Sequence, residues 1–151
     1  MVSDMQEQSK YRVLIADDDP TFLELARYTL TTAGFETIGV RDGAAAMMTL
    51  HDVPVDLAIV DLSMPRIDGF RLIALIRATP HLRRLPILVI TSRTDPSAIE
   101  EGYRVGANDY ITKPVIWGQL PSRVSYLIEH GARLPVASNH LTTQSFGAVA
   151  Q

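Results

Sequence analysis

Five side chains could do chemistry together. Asp17 and Asp18 follow an apolar run at residues 11–16, and Asp61 follows another at 57–60. Thr91 closes a third at 86–91, and Lys113 comes directly after residues 109–112. Taken singly each has an ordinary reading: a loop-capping aspartate, an acidic turn, a β-branched strand residue, a surface lysine. Brought together, three carboxylates repel one another and favour either a proton or a cation. All-oxygen ligation with no cysteine and no histidine cluster points to Mg²⁺, with Mn²⁺ as the alternative. A metal and an ammonium beside Asp61 suit phosphoryl transfer to the Asp61 carboxylate, which forms an acyl phosphate. No separate general base is needed, because a carboxylate is ordinarily ionised at neutral pH. Thr91 could donate its hydroxyl to a phosphoryl oxygen and so register the modification.

Those residues meet only if their strands lie side by side. The runs at 11–16, 57–60 and 86–91 are apolar without alternation, the pattern of strands buried on both faces. Residues 36–40 and 109–112 complete five strands. Between them, Asp19-Pro20 starts a helix whose expected inner face is Phe22, Leu25, Ala26, Leu30 and Ala33, closed by Gly34. A short helix over 44–50 buries Ala46, Met47 and Leu50. Asp68-Gly69 opens a third with Leu72, Ile73 and Ile76 inward, and residues 79–85 form a linker. Asp95-Pro96 opens a fourth helix, and a fifth runs over 119–130 with Leu120, Val124, Leu127 and Ile128 inward. Strict strand–helix alternation with short connections predicts an α/β fold: a parallel sheet with right-handed crossovers and helices on both faces. Ligands bind at the carboxyl edge of such sheets, where all five chemical residues fall.

The 151 residues suit one domain with a full core. Residues 1–10 and 132–151 lack periodicity and are expected to be flexible tails, the second too short for an effector domain. Zero cysteines exclude disulfides and thiolate metal sites. A net charge of −3 gives no support to a nucleic-acid surface. With no signal peptide or spanning segment read in the sequence, the expected location is cytoplasmic, without membrane insertion.

The segments VLIADDDP, DLAIVDLSMPRIDG, PILVITS and GANDYITKPV, in this order and spacing, resemble the receiver domain of two-component response regulators. The likeness spans residues 11–131, about four fifths of the chain. It implies a flavodoxin-like (βα)5 sandwich with strand order 2-1-3-4-5. It further implies Asp61 as phosphoacceptor, Asp18 as a direct Mg²⁺ ligand, Asp17 acting through a metal-bound water, and Ser63 ligating through its backbone carbonyl. Thr91 becomes the switch hydroxyl, Lys113 the phosphate-binding lysine with a cis bond to Pro114, and Tyr110 the switch aromatic. Three positions depart from the family pattern: Ser92 in place of alanine, Val115 and Ile116 where phenylalanine commonly comes first, and Pro121 inside the expected start of the last helix. That proline predicts a late start or a kink.

The implied function is that of a stand-alone phosphoacceptor signalling protein. A sensor histidine kinase or histidine phosphotransfer protein would phosphorylate it on Asp61, switching protein–protein contacts with a downstream target or passing phosphate on. The implied state is a monomer or a phosphorylation-dependent dimer. It is not an enzyme in the usual sense, but assists its own phosphorylation and slow autodephosphorylation, with Ser63 and Arg93 placed to adjust the rate. The alternative is a receiver-like interaction module regulated without phosphorylation. A haloacid-dehalogenase-type phosphatase wants an acid two residues after the nucleophile, where this chain has Ser63. Tyr103, Arg104, Tyr110 and Trp117 suggest an exposed partner patch. His51, His81, His130 and His140 show no metal-ligand spacing and are expected to be scattered over the surface.

Overall fold

The computed structural model describes residues 11–131; the two expected tails, and His140 with them, lie outside this range. The chain runs β1 (Arg12–Ala16), α1 (Pro20–Thr32), β2 (Glu36–Val40), α2 (Gly43–Asp52), β3 (Leu57–Val60) and α3 (Gly69–Ala78). A 3-10 turn (Pro80–Leu82) leads to β4 (Ile87–Thr91), α4 (Pro96–Val105) and β5 (Asp109–Thr112). A second 3-10 turn (Trp117–Gln119) precedes α5 (Leu120–His130). The five strands form one parallel sheet in the order β2-β1-β3-β4-β5.

Aspartate starts four of the five helices. Asp19, Asp42, Asp68 and Asp95 accept from the backbone amides of Thr21, Ala45, Arg71 and Ala98 at 2.8–3.1 Å, satisfying donors that a helix leaves unpaired. α5 has no side-chain cap. Its Pro121 sits in the first turn, where a missing N–H costs nothing, so the helix begins at Leu120 and runs to His130.

Alternate residues of each strand feed two apolar layers. Leu14, Ala16, Ala58, Val60, Ile87 and Val89 face Ala46, Leu50, Leu72, Ile73 and Ile76 of α2 and α3. Val13, Ile15, Leu57, Ile59, Leu88 and Ile90 face Phe22, Leu23, Ala26 and Leu30 of α1 and Leu120, Val124 and Leu127 of α5. The expected inner face of α1 is corrected at two places: Leu25 is 45% exposed and Ala33 is exposed, whereas Leu23 is buried. The helix is rotated so that Leu23, not Leu25, packs on the sheet. Gly34, at φ 104°, closes α1 as expected in a conformation that side chains disfavour. Among the described residues, no helix is long and apolar enough to cross a membrane.

Candidate functional site

Strand register alone gathers the carboxylates. Ala16 pairs with Val60 across β1 and β3, so Asp17 and Asp61, each one residue further on, stand side by side at the carboxyl edge. Backbone bonds hold them there: the Asp61 amide donates to the Ala16 carbonyl and the Asp17 amide to the Val40 carbonyl, both at 3.0 Å. Thr91 pairs with Thr112 across β4 and β5. Lys113 follows, its amide donating to the Thr91 carbonyl at 2.8 Å, and its bond to Pro114 is cis, as expected.

Carboxylate oxygens of Asp17, Asp18 and Asp61 all lie within 4.8 Å of one another. Lys113 Nζ donates to Asp17 Oδ2 at 2.8 Å and to Asp61 Oδ2 at 3.4 Å. The same ammonium lies 4.2 Å from the centroid of the Phe22 ring, a cation–π contact that holds it over the α1 side of the pocket. Asp17, Asp61 and Thr91 are buried, while Asp18 is open to solvent.

The electrostatics follow from one ammonium serving a crowd of acids. Burial pushes the Asp17 carboxyl up; hydrogen bonds from Lys113 and the Asp19 amide oppose this, the charge of Asp61 adds to it, and the net lies above the ordinary value. Burial also works against the Lys113 ammonium, but its hydrogen bond to Asp17 and the charges of Asp61 and Asp17 outweigh that and hold it above the usual lysine range. The pocket thus has oxygen donors and more negative charge than Lys113 can balance. That donor set fits a hard, partly hydrated divalent cation such as Mg²⁺.

The remaining predicted residues surround this pair. Ser63 is exposed, and its amide donates to Asp61 Oδ1 at 3.3 Å. Thr91 Oγ1 accepts from the Arg93 amide at 3.4 Å. Tyr110 is half-buried and its hydroxyl donates to the Arg93 carbonyl at 2.9 Å. Burial raises that hydroxyl to about 12, so it stays a neutral donor. Asp61 and α3 are packed without slack, for a β-carbon on Gly69 would lie 2.3 Å from the Asp61 carbonyl oxygen.

One expectation is corrected. The patch of Tyr103, Arg104, Tyr110 and Trp117 is not one exposed surface: Tyr103 is 5% exposed, and Trp117 packs on Phe22 with ring centroids 5.4 Å apart, on the other layer. The Arg93 guanidinium, beside the pocket, pairs with the Asp95 carboxylate at 3.0 and 3.1 Å. Sequence reasoning also missed Phe22 under Lys113 and Arg41, whose Nη2 donates to the Asp18 carbonyl at 3.2 Å. Phe22 read as core, which it also is. Nothing in the sequence links positions so far apart.

A doubly wound parallel sheet with acids, a hydroxyl and an ammonium at its carboxyl edge defines a CheY-like domain. Comparison with known proteins agrees. The family model described as the response regulator receiver domain matches residues 13–125, and this chain belongs to that family, the receivers of two-component signalling. The "DNA-binding dual master transcriptional regulator RpaA" of Synechocystis is 31% identical over 129 residues, covering 85% of this chain and 54% of that protein. "Protein RcaC" of Microchaete diplosiphon is 35% identical over 113 residues, 75% of this chain but 17% of its own length. The chain thus spans about half or less of these curated relatives. Among solved structures, a putative response regulator from Chloroflexus aurantiacus superposes with a TM-score of 0.77 at 34% identity, covering 81% of this chain and all of that one. The chemotaxis response regulator CheY4 of Vibrio cholerae superposes at 0.74 with 28% identity, covering 79% and 99%.

Proposed function

We propose that this receiver accepts a phosphoryl group on Asp61 from a phosphohistidine of a sensor histidine kinase or histidine phosphotransfer protein. The Asp61 carboxylate attacks phosphorus, an O–P bond forms, the N–P bond breaks, and the imidazole leaves with the electron pair. Mg²⁺, when bound, supplies charge neutralisation and alignment. Asp18 would hold it directly, Asp17 through a water, and the Ser63 backbone carbonyl would complete the protein's share. Lys113 binds a phosphoryl oxygen, and Thr91 donates its hydroxyl to another. When Thr91 leaves the Arg93 amide, the loop that Tyr110 grips is freed to move, so phosphorylation biases a two-state region. The output is protein binding or onward phosphotransfer in the cytoplasm, as a monomer or a phosphorylation-dependent dimer. Slow autodephosphorylation ends the signal, its rate set in part by Ser63 and Arg93.

One observation carries this reading: Lys113 Nζ bridges Asp17 and Asp61, at 2.8 and 3.4 Å, beside a third carboxylate that remains open to solvent. Incubation with Mg²⁺ and a small acyl-phosphate donor should add one phosphoryl group by intact mass. Chelating the metal or substituting Asp61→Asn should abolish it. Undiminished labelling of the Asp61→Asn protein would overturn the assignment.

A further inference from the structure

His51 closes the last turn of α2, and His81 lies in the 3-10 turn after α3, thirty residues later. No spacing rule connects them, yet their rings meet with centroids 5.6 Å apart and planes inclined by 45°. Both side chains are exposed, and neither makes a hydrogen bond or ion pair among the described residues. Two imidazoles with free nitrogens, held by two separately anchored elements, are a preformed pair of ligands.

The geometry suits a single ion. Metal–nitrogen bonds of about 2.0–2.1 Å place the centroids of two tetrahedral imidazole ligands roughly 5 Å apart. A difference of that size lies within the rotamer freedom of exposed side chains. Imidazole nitrogen selects zinc, copper or nickel over magnesium, so the Mg²⁺ that suits the acidic pocket does not occupy the pair. The two places are also far apart in the fold. Crossover helices run back against the strands, so the end of α2 lies at the sheet edge opposite Asp61. The carbonyl end of α2 favours a cation, whereas Arg83 and Arg84 follow His81 closely. Attraction here must therefore come from the imidazole ligands more than from net charge.

We propose that His51 and His81 form a two-imidazole site for a borderline divalent transition-metal ion, with the remaining coordination positions open to water. Among the described residues, no acidic side chain stands near enough to both to supply a third ligand. An ion held there ties α2 to the chain leading into β4. The site is independent of phosphorylation at Asp61.

The test is a Zn²⁺ titration of the full chain in millimolar Mg²⁺, followed by calorimetry and by the histidine ring resonances in NMR. One ion per chain should bind, shifting the His51 and His81 resonances together and leaving His130 and His140 unmoved. His51→Gln and His81→Gln should each weaken binding roughly tenfold or more, while Asp61→Asn binds as the parent does. Retained affinity in either single histidine variant, loss of binding in Asp61→Asn, or one ion shared between two chains would each overturn the proposal. The exposed variants are checked for fold by circular dichroism, and the resonance shifts of the parent protein stand as evidence without them.

Discussion

At the scale of single residues, Lys113 is the most informative side chain because it balances two buried acids. Removing it leaves Asp17 buried beside Asp61 with no ammonium, and a buried acid stripped of its partner costs about 3–5 kcal/mol or takes up a proton. A cation repelled by the ammonium should gain from its removal. Lys113→Ala is therefore expected to bind Mg²⁺ at least as tightly as the parent while accepting phosphate about ten to a hundred times more slowly. Metal titration followed by Trp117 fluorescence reads the first effect, since the indole touches Phe22, which touches Lys113; donor-dependent mass change reads the second. Unchanged phosphorylation would remove Lys113 from the reaction. The acids and the lysine were legible in the sequence because each ends a strand. Phe22 was not: its aromatic face serves the core and the ammonium together, and only the packing of α1 reveals the second use.

At the scale of elements, the strands and helix starts were legible because apolar runs, Asp caps and prolines are local signals. The rotation of α1 was not. Leu23 and Leu25 are both leucine, and only the contact with the sheet chooses between them. Arg77 was equally hidden. From α3 it donates to the carbonyls of Arg83, Leu85 and Gly106 and to Asn108 Oδ1, at 2.7–3.1 Å, with no carboxylate partner among the described residues. Asn108 in turn accepts from the Ile87 amide and donates to the Gly131 carbonyl, so one network joins α3, β4, the α4–β5 turn and the end of α5. Burial lowers the Arg77 guanidinium to about 10, still charged at any physiological pH. Arg77→Ala should cost about 2–4 kcal/mol by urea unfolding, from several orphaned carbonyls, and Arg77→Lys should recover less than half of that. Full recovery by lysine would show that charge, not the planar fork, is what the network uses.

At the scale of the whole molecule, the parallel sheet buries strands on both faces and leaves its carboxyl edge to hold charge that the core cannot. Stability should therefore depend on the metal and on pH together. The Asp17 carboxyl is raised above its ordinary 3.8 in the folded, metal-free protein. A raised acid favours the protonated fold: its contribution is fully present below the unfolded value of 3.8 and is lost as pH rises through the folded value. Near neutrality the metal-free protein thus carries a cost that a bound cation offsets. Millimolar Mg²⁺ should raise the melting temperature by a few degrees at neutral pH, with the gain shrinking towards zero in acid. A gain independent of pH would separate metal binding from Asp17. The overall architecture was legible in the strict alternation of strand and helix. The meeting of His51 with His81 was not, because it depends on where two helices end rather than on any spacing in the chain.

The central claim is that the phosphoryl group resides on Asp61. Borohydride reduction of the freshly phosphorylated protein converts an acyl-phosphate aspartate into homoserine, which peptide mass spectrometry can locate. The account predicts homoserine at position 61 alone, dependent on Mg²⁺ during loading; homoserine at position 17 or 18, or phosphate that resists reduction and maps to Ser63 or Thr91, would contradict it.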